Sequence, residues 1–569
     1  MKRPLAVCCL AAALACATPA TPPAPPPDPK PPAEREVKCR AGGGAAHLTA
    51  DPAASARAYA RACGHAESVE LTRALVAFPT VREDEKAFPQ AADEMAKYLE
   101  GVAQDLGGTF RAVDGREVYE VSLGDPAAPV GVAFLTHGDV VPVGGNWTKK
   151  PFEAQVEGDL LYGRGTEDDK GPTAAALVAM RSLSAAGYHP KERVQLIAGM
   201  GEEHDWSGMV KYSKEVKKPR YVISLDANFP VVISEFGFVG WTLEVKGNAG
   251  GLGVITPEQS KALREGKKLK DMDTSKNPVW AKGCARVASA QGGSFLTQVP
   301  AEATALLMPP IGTKQEVFLA QVQKLAAEDI ARRGAPFTAE ASAEPGGPGV
   351  RLRTTGKSVH SSVADQGANP LWPLAAIAVK AGACPEGPGR LLHVLAGRFD
   401  GDHWGEKLGV AYSDPAMGKL LAIPTVLKSE PGKATLGVNM RRPAGMDNAA
   451  FTEKLKAALA GLDRDFGPLE EDESQRFLGE PHVADIQGDL VPTLLSIYGE
   501  LTGEKDPKPI TVRGGTYARL FQGAVSFGPE LPGKTYRGHA PDEAIDLSTL
   551  DLLTRAAVEA VLRLDKPAP

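Results

Sequence analysis

Residues 130–142 read Val-Gly-Val-Ala-Phe-Leu-Thr-His-Gly-Asp-Val-Val-Pro. The nearly unbroken apolar run from Val130 to Thr136 is the pattern of a strand buried on both faces, as in parallel sheets covered by helices. Its surroundings agree. Upstream, Met95, Leu99, Val102 and Leu106 recur at helical spacing, and Gly107-Gly108 stops the helix. Downstream, residues 172–186 read as a helix with Pro172 in its first turn and Gly187 beyond its end. Residues 194–198 and 221–225 are further apolar strands, separated by a helical stretch near 209–216. Strands alternating with helices specify a parallel α/β arrangement.

The chemistry sits where these strands end. His137 and Asp139 follow the first strand and, in extended chain, point to the same face. A carboxylate beside a histidine can hold the ring while its other nitrogen binds a metal. Residues 163–172 follow as Gly-Arg-Gly-Thr-Glu-Asp-Asp-Lys-Gly-Pro, directly before a helix. The three successive acids Glu167, Asp168 and Asp169 repel one another unless a cation or solvent compensates, and they would also repel phosphate. The second strand ends in Gly201-Glu202-Glu203 and the third at Asp226. In open α/β sheets ligands bind outside the carboxyl ends of the strands. Three strands thus deliver His, Glu-Glu and Asp to one edge, which points to a metal site. Oxygen and imidazole donors without cysteine favour Zn²⁺, with Mn²⁺ or Co²⁺ as alternatives, and the surplus of donors points to two ions. Such a pair activates water and polarises a carbonyl, with Glu202 as general base.

The rest of the 569 residues exceeds what one core accommodates, since single cores stop growing at roughly 250–300 residues. Charged residues are 24% of the chain and the net charge is −6, so there is no basic surplus to suggest nucleic acid. Residues 1–16 have Lys2 and Arg3 before a short apolar stretch ending at Cys16, the pattern of an export and lipoprotein signal. Residues 17–38 begin with a Pro/Ala-rich tract and read as a linker. The membrane is therefore expected to be met only through a lipid anchor at Cys16, on a periplasm-facing or cell-surface lipoprotein; plain secretion is the alternative. Beyond the leader, Cys39, Cys63, Cys284 and Cys384 allow one or two disulfides whose pairing the sequence leaves open. After about residue 237 the pattern changes to short strands and helical pieces such as 314–333. It returns to α/β at 491–501 and 524–527 and ends in a helix at 548–562. The expected division is catalytic domain at 66–239 and 475–569, interrupted by an inserted domain at 240–474. His204, Trp147, Trp206 and Trp404 read as packing or surface residues.

His-Gly-Asp-Val-Val-Pro at 137–142, the acid loop, the Glu202-Glu203 pair and the Asp226 segment together resemble the aminoacylase/carboxypeptidase G family of dinuclear metallopeptidases. Within it they resemble the bacterial peptidase V (carnosinase-like) dipeptidases. Residues 356–362 (Gly-Lys-Ser-Val-His-Ser-Ser), 402–414, 439–443 (Asn-Met-Arg-Arg-Pro) and 514–519 (Gly-Gly-Thr-Tyr-Ala-Arg) extend the resemblance from about residue 66 to 565. It implies an α/β phosphorylase/hydrolase-like catalytic domain, with a mixed sheet flanked by helices, interrupted by an inserted α+β lid domain. It implies that Asp168 bridges two metals, His137 and Asp226 completing one, Glu203 and His539 the other. Asp139 would orient His137, and Glu202 would be the base. The lid would supply His360 to the scissile carbonyl and Arg441 to the substrate carboxylate, with Gly514, Gly515 and Thr516 lining that pocket. A cis peptide between Asp168 and Asp169 is also implied.

The expected partner is a small peptide, and the expected state a monomer. N-acyl-amino-acid deacylase or carboxypeptidase activity on the same fold is the near alternative; a non-catalytic peptide-binding lipoprotein is the alternative of another class. Three places depart from the family pattern: Gly138, Gly201, and the segment Thr297-Gln298-Val299-Pro300.

Overall fold

The computed structural model describes residues 34–246, 283–486 and 488–566. The signal assigned to residues 1–16, including Cys16, and residues 17–33 of the linker lie outside the described residues. Among the described residues no helix is long and apolar enough to cross a membrane.

The strand that opened the sequence reading spans Val130–His137 and lies at the centre of the molecule. It pairs in parallel with Arg193–Gly199 on one side and Tyr221–Ser224 on the other. Beyond Arg193–Gly199 come Val118–Leu123 and Thr109–Val113, both antiparallel. Beyond Tyr221–Ser224 come Val525–Ser526, Val232–Glu235 and His482–Val483. The sheet is therefore mixed, with a parallel centre. Helices Pro52–Val76, Lys170–Ala185 and Leu547–Leu564 pack on one another over one face, whose core includes Phe134, Leu196 and Ile223. Helix Ser207–Glu215 and a short turn at Tyr517–Leu520 cover the other face against Leu135 and Ile197. Each fully buried side chain of this size contributes about 2 kcal/mol of hydrophobic stabilisation. Register matters for function: His137 lies opposite Gly199, so neighbouring strands expire at the same edge.

The second core belongs to an antiparallel sheet in the order Thr338–Ala343, Val350–Thr355, Glu302–Met308, Arg286–Gly292, Leu421–Glu430, Lys433–Arg442, Gly237–Lys246, Glu470–Glu471. Helices Gln315–Arg333, Leu371–Lys380 and Pro388–Arg398 pack on it around Trp241, Phe318 and Leu392. This sheet takes in Gly237 at one end, and Phe477–Leu478 at the other pairs with Val239 and Gly240. It thus reaches a few residues past both ends of the 240–474 segment.

One expectation is corrected. The linker does not run to residue 38, because Arg35–Lys38 pairs antiparallel with Ala45–Leu48. The polypeptide then enters helix Pro52–Val76, with the Asp51 carboxylate accepting from the Ala53 amide at 2.9 Å. The physical reason is that the proline-rich composition has ended by then, and Leu48, Tyr59 and Cys63 form a small apolar cluster with Val37 against it. Disulfides join Cys39 to Cys63 and Cys284 to Cys384.

Candidate metal centre

At the carboxyl edge of the central sheet the strand ends converge. His137, Asp139, Asp168 and Asp169 are buried there. His137 Nε2 lies 2.8 Å from Asp168 Oδ1 and 4.0 Å from Asp226 Oδ2. His539 Nε2 lies 3.0 Å from Asp168 Oδ2 and 2.6 Å from Glu203 Oε1. Asp168 thus presents one oxygen to each histidine. The peptide between Asp168 and Asp169 is cis. Two groups of donor atoms each lie within 4.8 Å of one another: His137, Asp168 and Glu203, and His137, Asp169 and Asp226. All five sequence-predicted ligands are brought together, and Asp169 joins them.

Asp139 stands beside the His137 ring, as expected, and has further partners. Its two carboxylate oxygens accept from the amides of Glu202 and Glu203, each at 3.0 Å. The His137 ring is held by the Asp139 carbonyl, 3.0 Å from Nδ1, while the carboxylate lies 3.5 Å away. A carbonyl only accepts, so Nδ1 carries a hydrogen, which leaves Nε2 as the ring atom that would bind a metal. Gly138 makes room here: a Cβ at that position would meet the sulfur of Met200 and the terminal methyl of Met95 at 2.7 Å each.

Two supporting residues, Glu543 and Tyr536, went unrecognised in the sequence, and Glu167 was read there only as one of three adjacent acids. Glu543 accepts from the amides of Gly165, Glu167 and Asp168 through Oε1, while Arg164 donates to Oε2 at 2.5 Å. Burial pushes its carboxyl up to about 7. Glu167 accepts from the Arg537 amide, and burial pushes it up to about 8. The Tyr536 hydroxyl donates to Asp168 Oδ2 at 2.6 Å. Residues 536–543 thus tie down the acid loop from almost four hundred positions away. The one available signal was their adjacency to His539.

The charge balance fits divalent cations. The carboxyls of Asp169, Glu202, Glu203 and Asp226 are all pushed above their ordinary range, by burial first and then by one another's charge. Asp168 alone goes down: burial pushes it up, but hydrogen bonds from His137 and His539 hold it well below. Asp169 Oδ1 is buried with no hydrogen-bond partner among the described residues. Crowded buried acids with an orphaned oxygen, facing two imidazoles, are what hard or borderline metal ions compensate.

The lid forms the opposite wall. Its 3-10 turn Ser361–Gln366 begins after His360, whose Nδ1 lies 2.6 Å from the Ser362 hydroxyl and 3.3 Å from the Ser362 amide. An amide only donates, so Nδ1 is the acceptor and Nε2 carries the hydrogen. Burial among the cleft walls, then the charges of Arg441 and His539, push this imidazole down to about 3, although the residue keeps an exposed edge. Gln298, within the departing 297–300 segment, pairs its backbone antiparallel with that of His360. Arg441 is the next-to-last residue of the lid strand Lys433–Arg442 and is buried. It donates to the Ser361 hydroxyl at 3.0 Å and the Arg513 carbonyl at 3.2 Å, and Phe238 lies under it at 5.0 Å. None of these is an acid, and burial lowers its pKa to about 9. Gly514 and Gly515 follow Arg513, and the Thr516 amide and hydroxyl both donate to Glu235. Arg513 also reaches back to the lid, donating to Asp365 at 2.8 Å and the Ser362 carbonyl at 3.3 Å, with its guanidinium over Trp404.

Comparison with known proteins agrees with this layout. Residues 133–563 match peptidase family M20/M25/M40. A Beta-Ala-Xaa dipeptidase of Lactobacillus delbrueckii subsp. lactis is 30% identical over 477 residues, spanning 83% of this chain and 89% of the relative. Human carnosine dipeptidase 1 is similar in structure, with a TM-score of 0.51 at 14% identity over 90% of this chain and 98% of the other. The M20 family metallo-carboxypeptidase Sso-CP2 from Sulfolobus solfataricus has a TM-score of 0.50 at 15% identity over 88% and 99%. The two structural likenesses show the shared fold. With the family match covering most of the polypeptide from the central strand to the last helix, the chain belongs to peptidase family M20/M25/M40.

Proposed function

We propose that the protein is a metal-dependent dipeptidase that works with two divalent ions, zinc first and manganese or cobalt as alternatives. The observation that carries this is the opposed chemistry of the two walls. One wall gathers buried acids and two imidazoles; the facing wall offers a neutral histidine and a buried arginine with no acidic partner among the described residues. The Beta-Ala-Xaa dipeptidase relative supports the substrate class.

His137, Asp168 and Asp226 would hold one ion, with Asp169 beside them; Asp168, Glu203 and His539 would hold the other. When bound, the ions supply Lewis acidity to the attacking water and the scissile carbonyl. Glu202 takes a proton from that water and passes it to the leaving amine as the peptide bond breaks. Its backbone amide is fixed by Asp139, so its side chain starts from a defined position. His360 donates Nε2–H to the carbonyl oxygen as negative charge grows there. Arg441 pairs with the free carboxylate of the substrate, beside the Gly514–Gly515–Thr516 turn, and thereby measures its length.

The test is a turnover panel of dipeptides, tripeptides, N-acyl amino acids and dipeptide amides, with Zn²⁺, Mn²⁺ and Co²⁺ added separately. Dipeptides with a free carboxylate should lead. Preference for N-acyl amino acids or longer peptides would move the assignment to the deacylase or carboxypeptidase alternative. Export as a monomer with a lipid at Cys16 belongs to the same proposal. The leader sequence supports it, as do two disulfides of the kind that persist in oxidising compartments. Radiolabelled palmitate should enter the wild type and not Cys16→Ser; equal labelling would refute the anchor.

A further inference from the structure

We infer that Tyr536 is a positioning residue for the shared carboxylate, setting the affinity of one of the two metal positions and not the other. The inference rests on the dinuclear reading above.

The geometry is specific. The Tyr536 ring lies on the rim of the cleft, 42% exposed, so apolar burial does not explain its placement. Its hydroxyl instead reaches inward and donates to Asp168 Oδ2 at 2.6 Å. That oxygen faces His539, which in turn contacts Glu203; the other, Oδ1, faces His137. The phenol therefore acts on only one side of the carboxylate. The surrounding chain is shaped to permit this. A Cβ on Gly538 would come within 2.2 Å of the Tyr536 hydroxyl, so the ring can occupy its place only because residue 538 has no side chain. The neighbouring Arg537 amide donates to Glu167, and His539 two residues later holds a positive φ of 63°. The phenol, the amide and the imidazole thus reach the acid loop and Glu203 from one short segment.

A carboxylate bound through both oxygens needs its rotation fixed, and a hydrogen bond to one lone pair of Oδ2 does so while leaving the other available. Loss of such outer partners of metal ligands typically costs about 10–100-fold in affinity. The loss here should fall on the His539 and Glu203 side.

The experiment is calorimetric titration of the metal-free protein, wild type and Tyr536→Phe, with Zn²⁺, repeated with Co²⁺ while the visible absorption is recorded. The wild type should take up two equivalents. Tyr536→Phe should retain one unchanged and bind the other about 10-fold or more weakly, with an altered Co²⁺ spectrum for that equivalent alone. Its metal-free melting temperature should match the wild type, and Gly538→Ala should reproduce the loss by displacing the ring. Two unchanged binding steps and an unchanged spectrum in Tyr536→Phe would overturn the inference and leave the dinuclear reading intact. Equal weakening of both steps with a lowered melting temperature would overturn it as general destabilisation. A wild type that takes up fewer than two equivalents would overturn the dinuclear reading itself.

Discussion

The two walls of the cleft solve opposite electrostatic problems. The catalytic wall buries acids whose carboxyls are driven upward by burial and mutual repulsion, and two imidazoles face them. The lid wall buries a guanidinium that meets a hydroxyl, a carbonyl and a ring, but no acid among the described residues. Each is incomplete alone, since an unpaired buried charge is costly. One needs cations and the other an anion. A substrate that places a neutral carbonyl between them and a carboxylate at one end suits both, and this makes a short peptide a better fit than a long one.

The largest expected effect comes from breaking the catalytic wall. Glu202→Ala removes the proposed proton carrier and leaves the proposed metal donors, so kcat should fall about 10³-fold with metal content unchanged. Steady-state kinetics beside metal analysis checks this; retained turnover would remove Glu202 from the mechanism. Arg441→Met breaks the other wall. It should lower kcat/KM on dipeptides about 100-fold, the worth of a buried charge-assisted pair, and barely alter it on dipeptide amides. Equal loss on both substrates would show that Arg441 does not read the carboxylate.

A smaller effect concerns how the walls are held together. Arg513 links the Gly514 turn to Asp365 and the Ser362 carbonyl of the lid. The pair is about a quarter exposed on each side, so the link is worth about 1 kcal/mol. Arg513→Ala should raise KM about 5-fold with metal affinity unchanged. Smallest for catalysis is Asp329, buried in the lid core far from the site and paired with Arg332 and Arg333. Burial pushes its carboxyl up, but the two arginines win and hold it below the ordinary range. Its native pKa is thus below its unfolded one, so its contribution is complete above about pH 4 and is lost as pH falls through the native value. Asp329→Asn should lower stability at neutral pH by about 2 kcal/mol and flatten acid denaturation below pH 4, measured by urea unfolding across pH.

Much of this was legible in the sequence because it is local. The central strand carried an apolar run, and His137, Glu202, Glu203 and Asp226 were found because they sit where such runs stop. Helix Gln315–Arg333 likewise followed from its pattern. The first helix, Pro52–Val76, was missed although Asp51-Pro52 is a start signal, because its alanine-rich sequence has no clean apolar stripe. His360, His539 and Arg441 were recognised through the family resemblance alone; no spacing rule links them to residue 137. Tyr536 and Glu543 were invisible for a further reason. Their function is to hold a loop some 370 positions earlier, and nothing in their own neighbourhood records that partner. Asp139 shows a finer limit: alternation placed it beside His137, but only the fold revealed that its carboxylate binds the Glu202 and Glu203 amides.

The most direct test of the two-wall picture is to strip the protein of metal and follow dipeptide hydrolysis as Zn²⁺ or Mn²⁺ is added back in known equivalents. Turnover should be absent without metal and reach its plateau at two equivalents per chain. Undiminished turnover in the stripped protein, or a plateau at a single equivalent, would contradict it.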